Sequence, residues 1–322
     1  MRQRGRFSSR RSRHLFAEPY GRSWRCRISV RVLVALSIAA AIAVFLDARP
    51  RLGAARAAAW AAATLAAAVV AVPAYLLTRP SRAPAWGASE IVGLTLFFAG
   101  TIPAIATVLG RGGQAGLPPL PVIGALAVFQ DALFAVGSLY VARVKYRLPL
   151  AALGLTVGRW SRALGQGAVA AAAAIAGNNL GQSATVFVLG LWMGGPAANA
   201  LVQRDELHTP AFRVLALVHQ PAQLAALAVL VGVVVPIGEE LFFRGLVFGA
   251  LRRRLNRHLA AVLSALFFTA AHLDPAATLP ILLLGLVLAY TYEYTGSLVP
   301  GMLAHGVNNL AALLVFYQGP PG

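Results

Sequence analysis

The sequence predicts an all-α fold, a polytopic transmembrane helical bundle of about eight or nine spans, on three observations. First, 58% of the 322 residues are hydrophobic and only 12% are charged, with a mean hydropathy of +0.70. Soluble globular chains carry roughly twice that share of charge. Second, several apolar runs reach or approach the roughly 20 residues that a helix needs to cross a bilayer. Third, those runs are continuous and rich in Ala, Leu and Val, whereas a membrane β-barrel would alternate apolar and polar positions.

The chain opens on a basic segment. Residues 1–31 hold ten arginines, from Arg2 to Arg31, out of a net charge of +18. Arginines clustered before and between apolar runs set topology and attract anionic lipid, because basic segments stay on the cytoplasmic side. No basic module interleaved with aromatics is present, so nucleic acid is not an expected partner. Residues 1–27 read as a disordered cytoplasmic tail. Cys26 is the only cysteine, which excludes an intrachain disulfide or a cysteine-based metal cluster. The run Ile28–Leu46 is long and lacks a small-x-small cleavage site, so it reads as an uncleaved anchor.

Spans are expected at 28–47, 57–77, 90–109, 120–142 and 164–193, the last broken near Gly177-Asn178-Asn179. Residues 28–212 thus form N-terminal transmembrane helices without motifs. Segment 194–212, with Gln203, Arg204, Asp205, Glu206 and His208, reads as an external polar loop. A sixth span runs from 213 towards Glu239 through a kink at Pro236. The arginine-rich stretch Arg252–Arg257 marks a cytoplasmic face, and apolar runs follow at 259–273, 278–292 and 298–317. Residues 213–317 form the expected catalytic core. Isolated polar residues in or near the spans (Asp131, Asn178, Asn179, His219, Gln220 and Gln223) read as interhelical hydrogen-bonding groups.

Three polar clusters in the last hundred residues carry the chemistry. The first is Glu239-Glu240-Leu-Phe-Phe-Arg244, the second Phe268-Thr-Ala-Ala-His272, and the third His305-Gly-Val-Asn-Asn309. A charged residue at the centre of a bilayer costs about 2.5–3.5 kcal/mol on insertion scales, so such residues are functional candidates. In a helix Glu240 and Arg244 share a face, as do Phe268 with His272 and His305 with Asn309. Glu239 is rotated about 100° from Glu240 and faces a different neighbour. One carboxylate is then held by arginine and the other left for chemistry.

Depth links the clusters. Glu239 lies 13 residues before Arg252, about 20 Å along a helix, and His272 lies 15 residues after Arg257, about 22 Å. His305 and Asn309 lie roughly 12–18 Å from Ser297, on a helix starting from that same face. Three helices thus deliver polar groups to a similar depth, reached from the cytoplasmic side.

The pattern resembles the CPBP family of intramembrane proteases, which includes CAAX prenyl endopeptidases and bacteriocin-processing enzymes. The family's motifs are Glu-Glu-x-x-x-Arg, Phe-x-x-x-His and His-x-x-x-Asn, matched here at Glu239/Glu240/Arg244, Phe268/His272 and His305/Asn309. Pro236, Phe243-Arg-Gly245 and Thr295-Gly-Ser-Leu298 fit as well, whereas Glu293-Tyr294 stands where many relatives carry a basic residue. The resemblance covers residues 213–317. It implies that Glu239 is the general base activating water and that His272 holds or shares that water. It further implies that Glu240 and Arg244 form an orienting ion pair, and that His305 and Asn309 stabilise an oxyanion. Whether a divalent metal such as zinc takes part stays open: Glu239 with two histidines could ligate it, but no His-Glu-x-x-His pair is present.

The expected activity is endopeptidase cleavage of a membrane-associated or peptide substrate at the cytoplasmic membrane of a multi-pass protein with its N-terminus inside. Membrane lipid is the other expected partner. A transporter would string polar residues through the full membrane depth, and a non-catalytic scaffold or immunity protein would have lost a motif residue; neither feature is seen. An Ala- and Arg-rich chain with one lysine fits a GC-rich bacterial genome, where a bacteriocin or pheromone precursor is as good a substrate as a prenylated protein.

Overall fold

The structure, a computed structural model, describes residues 30–81, 83–109, 120–156, 158–208 and 214–318. The basic tail with Cys26 lies outside them. The described regular elements are all helical: α1 Val30–Leu52, α2 Ala54–Thr78, α3 Ala88–Leu109, α4 Leu120–Lys145, α5 Trp160–Met193, α6 Gly195–His208, α7 Pro221–Arg252, α8 Arg257–His272, α9 Thr278–Thr295 and α10 Leu298–Gln318, with a short 3-10 turn at Leu150–Leu153. Among them, α4, α7, α9 and α10 are long and apolar enough to cross a membrane. The run at 259–273 becomes α8, whose 16 residues are short for a span.

Several sequence expectations are corrected. The helix at 164–193 does not break at Gly177-Asn178-Asn179: α5 continues for 34 residues. One interior glycine costs only about 1 kcal/mol, and α5 lies along α9 and α10. Gly181 fits against the backbone of Pro280, where a Cβ would meet the Pro280 nitrogen at 2.5 Å. Segment 194–212 is not wholly a loop, since α6 takes up Gly195–His208 with a proline in its first turn. The core span begins at Pro221, not at 213. Gln223 accepts the backbone N–H of Gln220 at 3.4 Å, so this pair closes a helix end instead of bridging two helices. His219 precedes the helix.

The helix α7 is the axis of the core. Instead of a plain kink at Pro236, it widens into π-helical turns at Leu230–Val234 and Glu240–Phe248. Such turns are rare and collect at functional positions. Phe242 and Phe243 on α7 pack with Phe98, Phe134, Phe267 and Phe268. Phe134 stacks on Phe242 at 4.9 Å. The segment after α4 is also tied in: Leu298 N–H donates to Gly154 O at 2.9 Å and Ser297 Oγ to Thr156 O at 2.5 Å.

Candidate active site

The widened turn of α7 carries Glu239, Glu240 and Arg244 into the core. Glu240 and Arg244 are each 0% exposed. Arg244 Nη1 donates to Glu240 Oε1 at 2.8 Å, its Nη2 to Gly285 O of α9 at 3.3 Å, and its guanidinium lies 4.4 Å over the Phe268 ring. A buried cation without such partners would be strongly unfavourable. Here charge, carbonyl and ring quadrupole each answer one part of it. The i,i+4 pair read from spacing is present.

His305 on α10 joins this pair to Glu239. Its Nδ1 stands 3.2 Å from Glu240 Oε1, and its Nε2 stands 3.7 Å from Glu239 Oε2. An ionised carboxylate only accepts, so Nδ1 carries the proton in that contact. Nε2 is then turned towards Glu239. Glu240 has little room to move, because a Cβ on Gly301 would come 3.1 Å from its Oε2. Glu239 itself is buried, yet its Oε2 has no hydrogen-bond partner. The two adjacent carboxylates therefore sit in different surroundings: Glu240 is bound twice through Oε1, its Oε2 being left without a partner, whereas Glu239 Oε2 meets only the His305 ring at 3.7 Å.

The other two motif residues are placed less directly. His272 lies at the exposed end of α8, its Nδ1 donating to Phe268 O of its own helix at 2.7 Å. That leaves Nε2 as the free acceptor in the neutral ring. The ring of Phe268 connects the motifs: it meets His272 at 4.5 Å and His305 at 5.9 Å between centroids. Asn309 donates through Nδ2 to Val231 O at 3.0 Å, in the first widened turn of α7. Its side chain thus ties α10 to α7 and keeps a second N–H. For a metal, Glu239 and His305 approach each other, but among the described residues no three His, Cys, Asp or Glu side chains gather to hold an ion. The donor set does not fit zinc in this arrangement, and no step below runs through one.

One neighbour lies outside the motifs. Asp131 of α4 is 3% exposed and packs at Gly238, the residue before Glu239. The sequence reading made it an interhelical hydrogen-bonding group, but its Oδ1 has no partner. The available signal was a lone acid inside an apolar span.

Residues 221–311 match the family model described as type II CAAX prenyl endopeptidase Rce1-like. No curated protein and no solved structure matches the chain. The matched segment holds all three motifs, so the resemblance to CPBP-type proteases holds over it.

Proposed function

We propose, on the premise that residues 221–311 form a protease domain of the CPBP type, that this protein is an intramembrane endopeptidase in which Glu239 activates water. The observation that carries the reading is the inequality of the two carboxylates. Glu240 is held through Oε1 by both Arg244 and His305, with its unpartnered Oε2 packed on Gly301, while the unpartnered Oε2 of the buried Glu239 has only the His305 ring near it, at 3.7 Å. A general base needs a free acceptor within reach of the proton it takes.

In this reading Glu239 Oε2 takes a proton from water, and the water oxygen attacks the scissile carbonyl carbon. His305, oriented by Glu240 as Glu240 is by Arg244, stabilises the developing oxyanion when its ring is protonated. The second N–H of Asn309 and the free Nε2 of His272 are further polar groups for substrate or water. Glu239 then passes its proton to the leaving amine as the C–N bond breaks. Helices α1, α2, α3 and α5, with the shorter α8, supply the spans beyond the four that are long and apolar enough, eight or nine in all. The protein would lie in a bacterial cytoplasmic membrane with the N-terminus and the mouth of the site on the cytoplasmic side.

The test uses purified full-length protein in detergent. The panel holds quenched peptides ending in Cys-aliphatic-aliphatic-X, farnesylated and unmodified, and a hydrophobic peptide without that ending. Products are read by mass spectrometry. Cleavage within at least one peptide, unaffected by EDTA or phenanthroline, is expected. Activity lost to chelators and restored by zinc would reject the metal-free chemistry. No cleavage of any peptide would reject the protease reading.

A further inference from the structure

A buried carboxyl group outside the motifs, Asp131, has no part in the chemistry above. Asp131 is the one acid of α4, a helix that lies outside the matched residues 221–311. It is 97% buried by its 3% exposure, and its Oδ1 accepts no hydrogen bond. A buried acceptor left unmatched costs about 1–3 kcal/mol, and more for a charged group. Folding alone does not account for keeping it there.

Its position is specific. The helices α4 and α7 approach closely where Gly238 meets Asp131. A Cβ on Gly238 would stand 2.7 Å from the Asp131 carbonyl oxygen and 2.9 Å from its Cβ. That contact sets the backbone and Cβ of Asp131 against the residue that precedes Glu239. The other charged or titratable neighbours of Glu239 are its chain neighbour Glu240 and His305 of α10, with Arg244 paired behind them. Of the three buried carboxyl oxygens without donors among the described residues, Glu240 Oε2 is packed on Gly301, while Glu239 Oε2 and Asp131 Oδ1 belong to adjacent helices that meet at Gly238. Two acceptors with no donor between them suit a ligand that brings two hydrogens, and water is the smallest such ligand.

We propose that Asp131 is a further catalytic residue, the second acceptor for the attacking water. This rests on the protease reading above. One hydrogen of the water goes to Glu239 Oε2 and is transferred; the other stays on oxygen and is accepted by Asp131 Oδ1. The lone pair of the water oxygen is thereby aimed at the carbonyl carbon. Attack forms the new C–O bond, the C–N bond breaks, and Glu239 returns the transferred proton to the amine. Asp131 neither gains nor loses a proton over the cycle. Glycine at 238 is what lets α4 come close enough for this.

The variants D131N and D131L separate catalysis from structure, because the two roles predict opposite stability changes. Each is purified at full length beside wild type and E239Q, and assayed on the panel peptide that wild type turns over fastest. Expected is a fall in kcat of about 10-fold, the kinetic equivalent of one hydrogen bond. KM should be unchanged, and the Tm of both variants should equal or exceed that of wild type, since an unmatched buried carboxyl has been removed. A lower Tm in both variants would make Asp131 structural and overturn the proposal. Unchanged kcat beside an inactive E239Q would overturn it while leaving the protease reading intact. A wild type that cleaves nothing in the panel would remove both.

Discussion

Arg244 shows how a cation can sit in this core without solvent. It is 0% exposed, and its contacts come from three different helices: Glu240 on α7, Gly285 on α9 and the face of Phe268 on α8. Removing one side of a buried pair costs about 3–5 kcal/mol, because the remaining charge stays buried. Arg244→Ala should therefore lower thermal stability in detergent by that order and take activity with it. Arg244→Lys should recover only part of the stability, since a point charge cannot reach a carboxylate and a carbonyl while lying on a ring. Equal stability of wild type and Arg244→Ala would show that Glu240 is not held as described. The pairing was legible in the sequence because helical spacing alone puts residues 240 and 244 on one face. The part taken by Phe268 was not, because its contact with Arg244 is made between two helices and depends on how they pack, which spacing along one helix does not give.

At the scale of elements, the site depends on how α10 meets α7. Gly306 lies against the first widened turn, where an added Cβ would stand 2.1 Å from the carbonyl oxygen of Gly232. A backbone atom cannot move aside as a side chain can, so the helices themselves must separate. Asn309 fixes the same contact with its bond to Val231 O. Gly306→Ala should lose about 1–3 kcal/mol of stability, as overpacking does, and should lower turnover by displacing the adjacent His305. Thermal unfolding and peptide turnover, measured together, check this; a variant with unchanged Tm would deny the tight contact. Nothing in the sequence announced the π-helical turns. An apolar run reads alike at three and a half or four and a half residues per turn, and the widening becomes visible only when a second helix sits in it. The continuity of α5 through Gly177 was misread for a related reason: its packing on α9 and α10 outweighs a local preference that is small.

At the scale of the whole molecule, the matched segment is not a self-contained unit. Phe134 and Phe98 complete its aromatic core, α5 covers α9 and α10, and the turn at Leu150–Leu153 lies on Gly245, where a Cβ would meet the Leu153 carbonyl at 3.0 Å. A fragment of residues 214–322 should therefore fail to give a monodisperse, active species in detergent; a stable and active fragment would contradict that dependence. The motif-free half looked uninformative in sequence because its contribution is packing, together with one acid that no motif contains. The proposed cytoplasmic tail predicts that Cys26 resists an impermeant thiol reagent in intact cells and reacts after permeabilisation; rapid labelling from outside would overturn that proposal. The central claim, that Glu239 is the base and Glu240 the holder, is met most directly by comparing Glu239→Gln and Glu240→Gln on a peptide that wild type cleaves. Glu239 Oε2 makes no hydrogen bond, so Glu239→Gln should keep the wild-type Tm and lose turnover by about 10²-fold or more. Glu240→Gln should lose stability along with activity. Glu239→Gln that still turns over at the wild-type rate, or two variants equally stable and equally inactive, would contradict this division of roles.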